Sequence, residues 1–159
     1  MAVDAWITYD DFHRYVMDGT IQLDTTSVDM HLVQSGGNYG TTSLSTLTDL
    51  TLELGDVRGY LQSGKPLTDA WTTGASAGEM RYDATAVVWT AAGGPLGSTS
   101  GAMRIIAAVL VARTGASGKD PANKLMAFSK LSTTSFNIGD VNTLTVTPSA
   151  NGIFELNRA

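Results

Sequence analysis

The chain has 159 residues, a formal net charge of −5 at pH 7 and a pI near 4.7, with 43% hydrophobic and only 16% charged residues. This balance excludes a disordered chain and predicts one domain with a sizeable core. The acidic excess opposes general binding to phosphate backbones, and the absence of cysteine removes disulfides and thiolate zinc sites.

Residues 1–9 read as an N-terminal arm carrying Trp6, Ile7 and Tyr9, and residues 10–159 as a single β-rich domain. Met1 to Asp4 show no basic n-region and no apolar run, so no signal peptide is expected. Asp10 or Asp11 is placed to cap a short helix through Met17, with Phe12, Tyr15 and Val16 on one face, and Asp18-Gly19 ends it. Val28, Met30 and Leu32 alternate with Asp29 and His31, which predicts a half-buried strand with His31 on its polar face. Residues 35–40 form a loop, and Leu44, Leu47, Leu50 and Leu54 recur at helical spacing, predicting a second short helix stopped by Gly55. Gly59-Tyr60 and Gly64 to Leu67 read as short strand pieces; Trp71, in a segment expected in the core, is followed by a small-residue loop, and Glu79 to Trp89 reads as one or two strands broken near Asp83-Ala84. The run from Arg104 to Ala112 is apolar at nearly every position. Its length and β-branched content predict a central strand covered on both faces, and it is far too short to span a bilayer. Leu125 to Phe128, Val141 to Thr147 and Ile153 to Leu156 complete the strands. The fold expected is mainly β: an antiparallel β-sandwich or barrel-like domain with one or two short helices.

No catalytic, cofactor-binding or metal-binding residues are expected. Asp10, Asp11 and His13 on one short helix point in different directions. A chain with two histidines cannot build a His-rich metal site. Gly115 to Lys119 lacks the earlier glycine and the Ser or Thr of a phosphate loop, because Arg113 and Asp120 occupy those positions. Gly74-Ala75-Ser76-Ala77-Gly78 spells a nucleophile-elbow pattern, but a strand is predicted after it and both histidines precede it. It reads as a chance match in a small-residue loop.

The features that remain are those of contact. Charge is uneven: acids dominate up to Tyr60, whereas Arg104, Arg113, Lys119, Lys124 and Lys130 face only Asp120 between Gly101 and Lys130. These are either solvated faces or complementary patches that meet between subunits. The apolar arm either docks on its own domain or grips a neighbour. The partner-contact candidates are therefore Trp6, Ile7, Tyr9, Arg104, Arg113, Lys119 and Lys124.

The order of motifs resembles the capsid decoration (cement, head-stabilising) proteins of tailed bacteriophages. Phe12 to Val16 followed by Gly19-Thr20-Ile21-Gln22-Leu23-Asp24 resembles the opening of a short helix and a G-x-I-D-L-D turn, with Gln22 where an Asp fits the pattern. The strand Val28 to Val33, the segment Leu47 to Glu53, Gly59-Tyr60, Gly64-Lys65-Pro66-Leu67 and Val88 to Ala91 follow in order. Thr143 to Thr147 and Asn151 to Leu156 resemble a closing hairpin. The resemblance implies a structural virion protein, not an enzyme and without cofactor. It implies binding to the major capsid protein on the capsid exterior, commonly as a homotrimer, after synthesis in the host bacterial cytoplasm. Neither nucleic acid nor membrane is an expected partner. Other virion parts (tail-tube, head-completion or fibre-base components) and a surface carbohydrate-binding module are the alternatives.

Overall fold

The computed structural model of the chain describes residues 5–56, 58–74, 79–97, 104–114, 122–148 and 152–156. Among the described residues, ten strands, one α-helix and one 3-10 turn follow in the order β1 (Ile7–Thr8), α1 (Asp10–Met17), β2 (Ser27–Gln34), the 3-10 turn (Leu47–Asp49), β3 (Lys65–Pro66), β4 (Asp69–Thr73), β5 (Met80–Ala84), β6 (Val87–Thr90), β7 (Ile105–Thr114), β8 (Lys124–Lys130), β9 (Thr143–Val146) and β10 (Phe154–Leu156). They form sheets of order β1-β8-β7-β2-β3, β10-β5-β4 and β6-β9, with antiparallel pairing throughout. The architecture is mainly β and sandwich-like, as the strand pattern predicts.

β7 shows why. It pairs along both edges, with β2 on one side and β8 on the other, and Ile105 to Ala112 are buried at every position. A strand fed by two ladders and covered on both faces needs an unbroken apolar run. On one face Met30, Leu32, Ala108 and Leu110 join Tyr82, Trp89, Leu144 and Val146 from the smaller sheets in the main core. On the other face Val33, Val109, Val111, Leu125 and Phe128 form a second core with Tyr9 and Leu50.

Several expectations are corrected. The helix N-cap is Tyr9, with no side-chain cap, and not Asp10 or Asp11. The chain enters α1 directly from β1, whose ladder continues through Tyr9 N–H to Met126 O at 3.0 Å. The two aspartates instead lie in the first turn, where negative charge suits the helix dipole. β2 is not half-buried: every residue from Val28 to Gln34 is buried, because residues 35–54 fold back over its polar face. The helix predicted from the leucine spacing contracts to one 3-10 turn, since Thr46 pairs with Lys124 and Glu53 with Val33 and hold the chain extended on either side. Trp71 lies inside β4, paired with Tyr82, where no strand was expected. β9 and β10 do not form a hairpin; β9 pairs with β6 and β10 with β5.

Candidate functional site

Among the described residues, the buried acid Asp29 and the buried His31 share one face of β2. Period two puts Asp29 and His31 on the same side, opposite Val111 and Val109 of β7. Both are about 3% exposed. The segment that covers them supplies their partners. His31 Nδ1 lies 2.6 Å from Glu53 Oε1, and Tyr60 Oη donates to the same oxygen at 3.1 Å. A carboxylate only accepts, so Nδ1 carries the proton of the His31 contact. Tyr60 Oη in turn accepts from Leu32 N–H at 3.1 Å. Burial, followed by the Glu53 charge, drives the Tyr60 phenol well above its ordinary range. It acts as a fixed donor.

Gly64 closes this group from above. A Cβ there would lie 2.6 Å from His31 Nε2, and its φ is +73°. The imidazole is thus packed against backbone, and the His–Glu–Tyr chain fastens residues 53–64 to the sheet. Asp29 is held differently. Its Oδ2 lies 3.3 Å from Nε of Arg113, whose side chain is 54% exposed. Burial pushes the Asp29 carboxyl above the ordinary range, with Arg113 and then His31 opposing that shift. Among the described residues no group of three or more His, Cys, Asp or Glu is placed to hold a metal, and no helix is long and apolar enough to cross a membrane.

The contact candidates separate. Trp6 and Tyr9 are buried in their own domain at 8% and 0% exposure, with Tyr9 Oη donating to Tyr39 O at 2.8 Å. Burial drives the Tyr9 phenol upward. Ile7, between them, is 50% exposed. Arg104 and Arg113 flank opposite ends of β7, about 30 Å apart at the rise of a strand. Lys124 pairs opposite Ala112 and Lys130 opposite Ala107. The basic residues therefore divide into one pair at each end of the sheet and do not form one basic face. Arg113 meets Asp29 of its own chain, and Lys124 lies over the Tyr15 ring at 5.5 Å. Lys119 lies outside the described residues, as do residues 75–78 of the elbow pattern and 115–119 of the Gly-Lys loop. The pairing of β4 with β5 brackets the elbow pattern between two antiparallel strands.

Asp10, Asp11 and Asp49 are fasteners. Asp10 accepts from Thr42 Oγ1 at 3.1 Å, and Asp11 accepts from Arg14 Nε at 3.1 Å and from the Ser45 hydroxyl. Asp49 closes a capping box with Thr46. Hydrogen bonds from the Thr46 N–H and hydroxyl, then from the Ser45 N–H, hold the Asp49 carboxyl below its ordinary range. The folded chain thus binds this proton less tightly than the unfolded chain. Its stabilisation is complete above the ordinary carboxylate range and is lost as pH falls through the folded value. Asp49→Asn is expected to shrink the drop in Tm between pH 6 and pH 3. Thermal melts of both proteins at the two pH values check this; an unchanged drop removes Asp49 from the acid response.

Sequence reasoning placed His31 on the polar face but did not find Glu53, Tyr60 or Gly64 as its partners. The available signal was the glycine of Gly64-Lys65-Pro66, which marks a close approach of backbone to a neighbour. Comparison with family models, with curated proteins and with solved structures finds no match to this chain.

Proposed function

We propose that this chain is a structural virion protein that binds the outer surface of an assembled icosahedral phage capsid and stabilises it, acting as a homotrimer. The ordered motifs that resemble decoration proteins support this reading, and the observation that carries it is the edge at β1. β1 is the outermost strand of the five-stranded sheet. Ile7 lies opposite Phe128, and Tyr9 N–H bonds to Met126 O, so these two residues turn their backbone toward β8. By the alternation of an antiparallel ladder, the N–H and C=O of Thr8 turn outward.

A cleft lies on each side of this edge. One, of about 600 Å³, is lined by Ala5, Ile7, Tyr39 and Phe128, with Lys130 at its margin. The other, of about 470 Å³, is lined by Trp6, Thr8, Phe12, Met17 and Phe154. Trp6 Nε1 is buried without an acceptor, and Met17 is 87% exposed. An extended segment of a neighbouring capsid or sister subunit added at Thr8 would send alternate side chains into the two clefts. A protein that binds only the assembled shell stabilises it by mass action, by about 2.7 kcal/mol at a hundredfold excess over Kd.

The test mixes purified protein with empty expanded capsids and follows co-sedimentation and capsid melting. Thr8→Pro removes the outward N–H and leaves the β8 ladder intact; Ile7→Lys places a charge at the exposed edge position. Binding by the wild type with at least a tenfold loss in both variants, at unchanged variant Tm, is expected. Failure of the wild type to bind shells overturns the reading; shell binding untouched by Ile7→Lys removes the edge from it. Deleting residues 1–9 is not an equivalent test, because it removes the buried Trp6 and Tyr9 from the core.

A further inference from the structure

The five-stranded sheet has two unlike edges. At one, β3 is guarded: Pro66 has no N–H to offer, and Lys65 turns its ammonium onto Val88 O. At the other, β1 carries neither proline nor charge, and the outward N–H and C=O of Thr8 meet no described residue. A sister sheet cannot continue this one through β3, which leaves an extended segment of another chain as the strand that fits β1. The two clefts beside β1 differ in charge. Ile7 and Phe128 are cross-strand partners on the face of the larger cleft, and Lys130 follows two residues along β8 on that same face. Lys130 forms no ion pair among the described residues. The other polar side chains of this cleft, Asn38, Tyr39 and Thr41, are uncharged, and Asn38 is already engaged by Asp49 O at 2.9 Å and Thr51 N–H at 2.8 Å. The second cleft lies on the Thr8 face between the rings of Trp6, Phe12 and Phe154, with His13 and Glu155 at its margin. Glu155 also forms no ion pair among the described residues.

Building on the reading of β1 as a docking edge, we infer that its partner is an acidic extended segment of another protein, with a bulky apolar side chain opposite Thr8 and Asp or Glu on the adjacent residue opposite Ile7. Residues directly opposite in a ladder share a face. The residue paired with Thr8 therefore enters the aromatic cleft, where Glu155 opposes an acid. Its neighbour lies over Ile7, where Lys130 attracts an acid and repels a lysine or arginine. β1 has only two residues, so the backbone pairing is short and these two side chains set the choice of partner. The net charge of −5 favours a basic partner at long range, so a preference for acid reports the local field of Lys130.

The probes are capped peptides added at constant ionic strength to the isotope-labelled full chain: acetyl-Thr-Glu-Phe-Glu-Thr-amide, its Lys-Phe-Lys counterpart, and the Glu-Phe-Glu peptide N-methylated at Phe. The readout is the NMR shifts of the Ile7, Thr8 and Glu155 amides. Saturable shifts are expected, with Glu-Phe-Glu at least about threefold tighter than Lys-Phe-Lys. N-methylation, which removes the N–H that pairs with Thr8 C=O, abolishes binding. Lys130→Glu reverses the charge preference, and Lys130→Gln levels it. Equal binding of the two charge forms, a preference for Lys-Phe-Lys, or no saturable shift with any peptide overturns the inference, as does undiminished binding of the N-methylated form. Thr8 shifts that grow with protein concentration in the absence of peptide place a second copy on the edge and overturn it as well. No capsid enters these measurements. Peptide selectivity without shell binding keeps the acidic partner and rejects the capsid reading, and shell binding without peptide selectivity does the reverse.

Discussion

Gly59→Ala is expected to cost at least about 3 kcal/mol, a drop in Tm on the order of 10 °C for a chain of this length. Gly59 has φ +95°, and a Cβ there would lie 2.1 Å from the carbonyl oxygen of Thr90. Both partners are backbone, so no rotamer change relieves the clash. Moving residue 59 away also disturbs its neighbours. Ala92 N–H donates to Arg58 O at 3.0 Å, Arg58 Nη1 donates to Gly93 O at 2.6 Å, and Tyr60 carries the hydroxyl that links Glu53 to Leu32. Gly40→Ala is the control: a Cβ there meets nothing within 4 Å, and the change is expected to fall within about 0.5 kcal/mol. Thermal and urea melts of the two variants decide the matter. Equal stabilities would mean that the 58–60 segment is not held against the end of β6.

Glu53→Ala is expected to destabilise by about 3 kcal/mol, because removing one member of a buried pair strands the others. His31 Nδ1 and Tyr60 Oη both use Glu53 Oε1, and His31 is 3% exposed. Neither donor regains water without lifting residues 53–64 off the sheet. Glu53→Gln keeps an oxygen acceptor at the site and should lose only about 1 kcal/mol. A double-mutant cycle with Tyr60→Phe should show coupling of at least about 0.5 kcal/mol, since the two side chains share one network. Additive losses in urea unfolding would show that the network is not cooperative and that Glu53 acts through its backbone pairing with Val33 alone.

Both variants probe contacts that a sequence pattern does not display. The apolar run at 104–112 made β7 legible as a doubly covered strand, and the period-two pattern at 28–32 assigned Asp29 and His31 correctly to one face. Neither pattern states what lies on that face. A polar residue at every second position predicts solvent unless another segment folds over it, and here residues 35–64, distant in sequence from β7 and β8, supply the cover. β4 was missed for a related reason: Asp69, Thr72 and Thr73 surround Trp71 with polar residues, and the strand exists because Trp71 and Tyr82 pair across the ladder at 5.4 Å between ring centroids. The arm was legible as apolar, but whether Trp6 and Tyr9 turn inward depended on β8 offering its edge.

By itself the sequence determined the class of fold, the helix at 10–17 and the central position of β7, because periodicity and residue type act locally along the chain. Only the tertiary structure decided which strands share a sheet, which polar residues are buried together and where an edge is left open. Those outcomes depend on pairings between segments far apart in sequence, where many registers satisfy the same local pattern and packing selects one.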